Sequence, residues 1–326
     1  MATIKDVAER AGVTVTTVSR MLNNRVQISP KTREKINQAM KELDYQPNEL
    51  ARSLSKQNSN MIGLIVATAN NYFFSKVINS IEHYSAAYGY KLLLCISNHE
   101  PEKEIEYFNM LKAHKVAGVI LASHTQNLEK YLTFNAPIIT FDRTLSPQIP
   151  SVCSDNYNGG VLAAKHFIQK GCKTPAYVMD ARKAGMHANF RYDGFTDTFE
   201  KHGIKPIVYV APPECLISMQ YEHYIDDFFK QYPAVDSVFT SNDIIAAHIL
   251  RHCNKHAIAV PGRLKVIGYD DIDLARFCSP SLTTIRQPVD DNCRFAVESI
   301  VHYKERNIPV NTIFPVQLIQ RESTEG

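Results

Sequence analysis

Ile4-Lys-Asp-Val-Ala-Glu-Arg-Ala-Gly-Val-Thr-Val-Thr-Thr-Val-Ser-Arg-Met-Leu22 reads as two short helices joined by a tight turn. Its apolar residues Val7, Ala8, Ala11, Val18 and Leu22 recur at helical spacing on either side of Gly12-Val13. Ala8 and Ala11 are small enough for a second helix to cross the first closely. Gly12 suits the left-handed backbone that ends a helix. Thr14 is placed to cap the next helix by accepting from its free N–H groups. The pattern is a helix-turn-helix, whose second helix lies in the major groove of DNA.

That second helix, about residues 15 to 23, divides by face. Val18 and Leu22 turn inward, while Thr16 and Arg20 share an outer face with Val15 just ahead. Arginine pairs bidentately with guanine, and Val15 and the Thr16 methyl suit a thymine methyl. Thr14, Thr17 and Ser19 suit phosphates, which fix register without reading sequence. Taken alone, the same residues also fit a small amphipathic helix pair with an ordinary polar surface.

The next stretch of chain narrows that choice. Residues 29 to 45 predict a third helix, with Ser29 as cap, Pro30 at its first position and an Ile36, Met40, Leu43 stripe. Pro47 ends it, and a short new helix starts near Asn48. The run Thr3-Ile-Lys-Asp-Val-Ala8, Gly12-Val13, Thr17-Val-Ser-Arg20 and Asn23, then Tyr45-x-Pro47-Asn48-x-x-Ala51-x-x-Leu54, closely resembles the lactose/galactose repressor (LacI/GalR) family. In that family the segment matching residues 48–56 is a hinge helix. Two copies pair across a dimer in the minor groove, and each inserts a leucine between base pairs. The resemblance makes Leu54 that wedge and Ala51 the point of close approach, in keeping with apolar wedges that kink DNA by unstacking a step. It implies DNA contacts from Thr14, Val15, Thr16, Thr17, Ser19, Arg20, Asn23, Asn48, Ala51 and Leu54.

Length and composition agree. A chain of 326 residues supports two or three cores, and 44% hydrophobic with 21% charged residues is globular. The net charge of +3 is uneven. Residues 1–60 carry 10 Lys+Arg against 6 Asp+Glu, hence +4, and the rest carry 26 against 27, hence −1. The positive excess sits where phosphate neutralisation needs it. The first 20 residues hold charges and no apolar core, and the longest apolar run, residues 61–69, is far short of a membrane span. The expectation is a cytoplasmic protein with no membrane partner. Its 7 cysteines are scattered, with no C-x-x-C and no His-Cys cluster at metal-ligand spacing, so reduced buried thiols and no metal are expected.

Past a polar linker at residues 56–60 the rhythm becomes alternating strands and helices. Strands are expected at 61–67, 91–96, 118–122 and 138–141, with helices at 74–88, 101–114 and near 128–132. A second series gives helices from 159 to 171 and at 191–202, 219–231 and 244–255, between strands at 176–179, 207–210, 237–240 and 264–268. The pattern predicts two doubly wound α/β subdomains in tandem. No G-x-G-x-x-G or G-x-x-x-x-G-K-[ST] follows a strand, and neither H-E-x-x-H nor G-x-S-x-G occurs, so no cofactor and no catalytic residue are expected.

Ligands in such sheets bind at the carboxyl ends of strands. Those positions hold Asn70-Asn71-Tyr72-Phe73-Phe74, Phe141-Asp142-Arg143, Ser154-Asp155-Asn156, Ser241-Asn242-Asp243 and Gly268-Tyr269-Asp270-Asp271; Arg191 opens a helix and Gln287 ends a crossing strand. Aromatics, carboxylates, an amide and an arginine suit a polyol. These motifs also resemble the LacI/GalR regulatory domain, itself similar to periplasmic sugar-binding proteins: a periplasmic-binding-protein-like core. Carried over by position, Phe73, Asp142, Arg191, Asn242, Asp270 and Gln287 are the effector contacts. Phe73 could instead pack under the first helix, and Arg191 could pair with a carboxylate at the cleft rim. Asp155 is read as structural, and Asp243 and Asp271 as caps. The family's usual Asn-Pro-Phe-Phe appears as Asn71-Tyr72-Phe73-Phe74, with the backbone less fixed at Tyr72.

The domain plan is therefore a DNA-binding domain at 1–46, a hinge helix and linker at 47–60, and an effector-binding and dimerisation domain at 61–326. Within it, one subdomain takes about 61–155 and 289–310, and the other about 156–288 and 311–326. The chain crosses near 155, 287 and 311, residues 290–303 form a helix of the first subdomain, and residues 314–320 add a last strand to the second. The resemblance implies a homodimer on palindromic double-stranded operator DNA, with no heptad tail for tetramers. It also implies that a small sugar or sugar phosphate in the cleft rotates the subdomains and so sets DNA affinity. In most sugar repressors of the family the ligand releases DNA; in some it is a corepressor. A nucleoside or purine effector and a protein co-regulator are the alternatives. A sugar transport component and an enzyme with a DNA-binding appendix are remote ones. The closest pattern is that of sucrose, fructose or ribose operon repressors.

Overall fold

The computed structural model describes residues 2–22, 28–46, 59–123, 134, 136–181, 185–305 and 307–325, leaving aside the side chains of 216 and 217. The expected helix near residues 128–132 lies outside this set. The chain forms two compact units, Met1–Ser59 and Asn60–Gly326.

In the first unit, α1 (Ile4–Ala11) starts at a capping box between Thr3 and Asp6 and ends at Gly12, φ 65°. The turn is closed by Val13 N–H donating to the Ala8 carbonyl at 3.0 Å. Thr14 then caps α2 (Val15–Leu22), its hydroxyl accepting from Thr17 N–H at 3.2 Å. Ser29 and Pro30 open α3 (Pro30–Glu42). Val7, Ala8, Ala11, Val18, Met21, Ile36 and Ala39 make the core. Met21 takes the buried place expected for Leu22, which is only partly covered. An i, i+3 pair shares a face as an i, i+4 pair does, and the unbranched Met21 side chain fills the centre of three helices.

The second unit is built on two six-stranded sheets. The first holds β1 (Met61–Val66), β2 (Lys91–Ile96), β3 (Gly118–Ala122), β4 (Ile138–Phe141), β5 (Ser151–Ser154) and β11 (Asn311–Phe314) in the order β11-β5-β4-β3-β1-β2. The second holds β6 (Pro175–Met179), β7 (Ile207–Val210), β8 (Ser237–Thr240), β9 (Lys265–Asp270), β10 (Thr283–Arg286) and β12 (Gln317–Ile319) in the order β12-β10-β9-β8-β6-β7. Each pairing is parallel except β10 with β12. Fully buried strands such as Gly118–Ala122 and Pro175–Met179 show why the sequence reads as continuous apolar runs there. The sheets are flanked by α4 (Tyr72–Ala87), α5 (Pro101–Ala113), α6 (Asn156–Gln169), α7 (Phe190–Glu200), α8 (Pro213–Ser218), α9 (Glu222–Gln231) and α10 (Asp243–Lys255). The chain then adds α11 (Leu274–Phe277) and α12 (Val289–Val301).

Two sequence expectations need correction. The third crossing lies at Pro315-Val316 rather than near 311. Residues 311–314 pair with β5 in the first sheet, and Ser151 donates to the Asn311 side chain at 2.8 Å. Pro315 lacks the N–H that would continue the ladder, so the chain passes to β12 in the second sheet. The helix expected from Met219 begins only at Glu222, as α9, and a separate helix, α8, precedes it. Pro213 begins α8, and Met219, φ 58°, ends it by donating to the Cys215 carbonyl at 2.8 Å.

Candidate functional site

Both sheets reverse strand order at their first strand, between β1 and β3 and between β6 and β8. A switch point leaves an open crevice at the carboxyl ends of the strands. The crevices of the two sheets form one cleft, and Phe73, Asp142, Arg191, Asn242, Asp270 and Gln287 all line it. Phe73 comes from the first turn of α4, where Asn71 caps the helix by accepting its N–H at 2.8 Å. The ring packs against the apolar cores of both sheets, so its packing and cleft-lining readings both hold.

Arg191, 6% exposed, is held on every side. Nε donates to Asn156 Oδ1 at 2.7 Å, Nη1 donates to the Ser241 carbonyl at 2.6 Å, and the guanidinium lies 3.7 Å from the centre of the Tyr269 ring. Its Nη1 is 4.0 Å from Asp270 Oδ1, which also accepts from Gln287 Nε2 at 2.6 Å. Asn242 caps α10 by accepting from Ile245 N–H at 3.0 Å while its amide donates to Asp180 at 2.9 Å.

Residues that sequence reasoning missed complete the set. Asp180, at the end of β6, accepts from Tyr221 at 2.8 Å as well as from Asn242. Its position matches that of residues 70–74 after β1, since both follow the first strand of a sheet, and that symmetry was the available signal. Asn156 is a hub: it donates to Asp142 at 2.9 Å and accepts from Arg191 and from Tyr269 at 3.1 Å. Its place in the strand-end run Ser154-Asp155-Asn156 was visible, but nothing in the sequence marks it as the hub.

Three carboxylates thus face one guanidinium. Burial pushes Asp142 and Asp180 above the usual carboxylate range, against the pull of Arg191 on both. Burial lifts Asp270 to about 7, opposed by Arg191 and by the bond from Gln287. Asp142 (φ 55°) and Asp270 (φ 111°) both sit in backbone regions that cost energy for a side chain, as residues aimed into a binding site often do.

The neighbouring acids do other work. Asp155 caps α6 by accepting from Asn158 N–H at 3.0 Å, as expected. Asp271 is not a cap: it binds Arg286 at 2.6 Å and Arg321 at 2.5 Å. Burial alone would raise its carboxyl, and those two arginines hold it below the ordinary value. Asp243 is not the cap of α10 either, because Asn242 takes that place. Asp243 accepts from Thr284 and from Ile272 N–H at 2.9 Å, joining β10 to the turn after β9.

In the first unit, Thr14, Val15, Thr16 and Arg20 are exposed on one side of α2, with Thr17 and Ser19 half-buried beside them. Asn23, Asn48, Ala51 and Leu54 lie outside the described residues.

Residues 3–48 match the model of bacterial regulatory proteins of the lacI family, and residues 164–324 match that of the periplasmic binding protein-like domain. The chain is 36% identical over 324 residues to the sucrose operon repressor of Streptococcus mutans, covering 99% of each. The chain belongs to the LacI family. Another relative of this LacI-family chain is the ribose operon repressor of Halalkalibacterium halodurans, 34% identical over 100% of this chain and 98% of the relative. Among solved structures, a LacI-type regulator of Alkaliphilus metalliredigens complexed with D-xylulofuranose is 30% identical, with a TM-score of 0.74 over 82% of this chain and all of that one. The lac repressor dimer bound to operator and the anti-inducer ONPF is 25% identical, with a TM-score of 0.86 over 99% of both chains.

The LacI-family chain is accordingly a DNA-binding transcriptional regulator, and its relatives are repressors rather than enzymes. Among its described residues no helix is long and apolar enough to cross a membrane.

Proposed function

We propose that this LacI-family regulator acts in the cytoplasm as a homodimeric repressor of a carbohydrate-utilisation operon, and that a neutral sugar held in the cleft sets its affinity for a palindromic operator. The observation that carries the effector class is the cleft lining: Asp142, Asp180 and Asp270 with Asn242 and Gln287, one arginine, and the rings of Phe73 and Phe141. A carboxylate accepts from two vicinal hydroxyls, and an aromatic face covers the apolar face of a sugar ring. Arg191 has committed Nε and Nη1 to Asn156 and Ser241, so Nη2 remains as the donor for a ligand oxygen. Three acids against one base oppose a phosphate dianion, which favours the free sugar over its phosphate. The same lining is rich in acceptors for hydroxyl hydrogens.

On the DNA side, Arg20 and Thr16 read base edges with Val15 ahead of them, and Thr14, Thr17 and Ser19 bind phosphates. Asn23 extends that contact, and Asn48, Ala51 and Leu54 form the hinge in the minor groove. The experiment is a thermal-shift panel of sucrose, fructose, ribose and xylulose, their phosphates, and purines against the full chain. A ligand at about 100 times its dissociation constant adds about 2.7 kcal/mol to stability. A neutral-sugar hit that also changes operator binding supports the reading. Hits confined to phosphates or purines overturn it.

A further inference from the structure

Far along α10 from its Asn242 cap, His252 and His256 are one helical turn apart, and Asp226 of the neighbouring α9 lies against them. The two imidazoles and the carboxylate each offer a ligand atom, and these atoms lie within 4.8 Å of one another. His252 Nδ1 is 2.7 Å from Asp226 Oδ1, and its ring is stacked on Phe229 with centroids 4.5 Å apart and planes 5° apart. The His252 and His256 rings are 4.3 Å apart. His256 is exposed, Asp226 half-buried, and the His252 side chain only 10% exposed, so one rigid ligand is flanked by two that can adjust.

We propose that Asp226, His252 and His256 bind one divalent transition-metal ion of the zinc type, which staples α9 to the C-terminal end of α10. Imidazole nitrogens select zinc, copper, nickel or cobalt over magnesium and calcium, which prefer all-oxygen sites. Tetrahedral zinc with ligands at about 2.0–2.2 Å needs ligand atoms roughly 3.3 Å apart. Binding one ion therefore requires the 2.7 Å His252–Asp226 contact to open slightly and the exposed His256 side chain to turn toward the pair. Two histidines and one carboxylate leave a fourth position for water. Asp226 supplies the negative charge. Nearby, Lys255 opposes the ion, while Arg251 is already paired with Glu222 at 2.7 Å. The spacing His252-x-x-x-His256 was visible in the sequence, but its third ligand lies on a different helix.

The test uses the full chain free of any histidine tag. Titration with Zn²⁺ should show one ion bound per chain and a raised melting temperature, with no such rise from Mg²⁺ or Ca²⁺. His256→Ala should weaken Zn²⁺ binding at least tenfold and remove the temperature rise, and Asp226→Asn should weaken it similarly. Because His256 is exposed, the metal-free melting temperature of His256→Ala should match that of the parent. The Co²⁺-loaded chain should show ligand-field bands without a thiolate charge-transfer band. Absence of saturable Zn²⁺ binding, parental affinity in His256→Ala, or a thiolate band placing the metal on a cysteine would each overturn the proposal.

Discussion

Gly160→Ala should damage the cleft from behind. Helices α6 and α7 touch backbone to backbone: a Cβ built on Gly160 lies 2.1 Å from the Arg191 carbonyl oxygen and 2.6 Å from Phe195 N. An ordinary carbon–oxygen contact is about 3.3 Å, so the helices must part by roughly 1.2 Å. Asn156 and Arg191 sit in the first turns of these two helices, and their bond is 2.7 Å long. The same parting stretches it to about 3.9 Å, beyond hydrogen-bond range. Overpacking costs about 1–3 kcal/mol and a lost charge-assisted bond about 1.5–3 kcal/mol. Together these lower the melting temperature by roughly 10 °C. Sugar affinity should fall at least tenfold, because Arg191 leaves its seat, while operator binding through the first unit persists. Gly262→Ala is the control: its nearest neighbour would be Ala259 Cβ at 3.5 Å, an ordinary contact, so it should change stability by less than about 0.5 kcal/mol. Differential scanning calorimetry with sugar titration checks both. A Gly160→Ala chain that melts with the parent and binds sugar equally would refute the claim that this helix contact positions Arg191.

Arg20→Ala should weaken specific operator binding by about 1–3 kcal/mol and relax one base position; an equal loss on random DNA in gel-shift titrations would make Arg20 a phosphate contact only. Asp271→Ala should cost about 3–5 kcal/mol in urea unfolding, because Arg321, 13% exposed, loses its partner. A loss under about 1 kcal/mol would show the pair to be solvent-screened. Asp270 titrates at about 7 in the fold, whereas an unfolded aspartate titrates near ~3.9. Between those values the folded chain keeps a proton that the unfolded chain has released, so stability present below about pH 4 is lost as pH rises through about 7. Asp270→Asn should flatten the fall in stability measured from pH 5 to 8, with the residue of the slope belonging to Asp142 and Asp180; an unchanged slope would place the proton elsewhere.

Periodicity and capping made most of the fold legible, since Gly12, Ser29 and the buried strands are governed by local physics. Legibility failed where one residue's place depends on a distant partner. Residues 311–314 alternate as any edge strand does, and only pairing with β5 assigns them to the first sheet. Met219 lies in an apparently helical stretch, and its left-handed backbone follows from where α8 starts. The six cleft positions came from the resemblance to the family's regulatory domain; Asp142, Asn242, Asp270 and Gln287 also fall at strand ends that can be counted along a doubly wound chain, and Asp180 obeys the same rule. Asn156 and Tyr269 fall in the counted strand-end runs as well, but their roles could not be read there, because they arise from a hydrogen bond between residues 113 positions apart. Asp270 and Asp271 are adjacent in sequence yet serve opposite ends, one in the cleft and one in an ion pair, since the turn after β9 sends their side chains apart.

The contacts that bridge the two sheets across the cleft are few enough for a small ligand to matter. Thr144 N–H donates to the Gly185 carbonyl at 3.0 Å, and His187 N–H donates to the Asp142 carbonyl at 3.2 Å. The His187 ring lies between the Thr144 hydroxyl at 2.7 Å and the Cys153 thiol at 2.8 Å. Lys76 donates to the Asp271 carbonyl at 2.7 Å, and Asn156 donates to Asp142 at 2.9 Å. Each such bond is worth about 0.5–1.5 kcal/mol net, so together they supply only a few kcal/mol before the entropy of holding the sheets together is subtracted. A two-state cleft balanced on that scale is turned from 1:99 to 99:1 by about 5.5 kcal/mol of differential affinity. A sugar that bonds Asp142 on one side and Asp180, Asn242 and Asp270 on the other gains that difference only when both sides reach it. Placing acceptors on both walls is therefore what would make this cleft responsive, and a ligand satisfied by one wall alone would bind without shifting it.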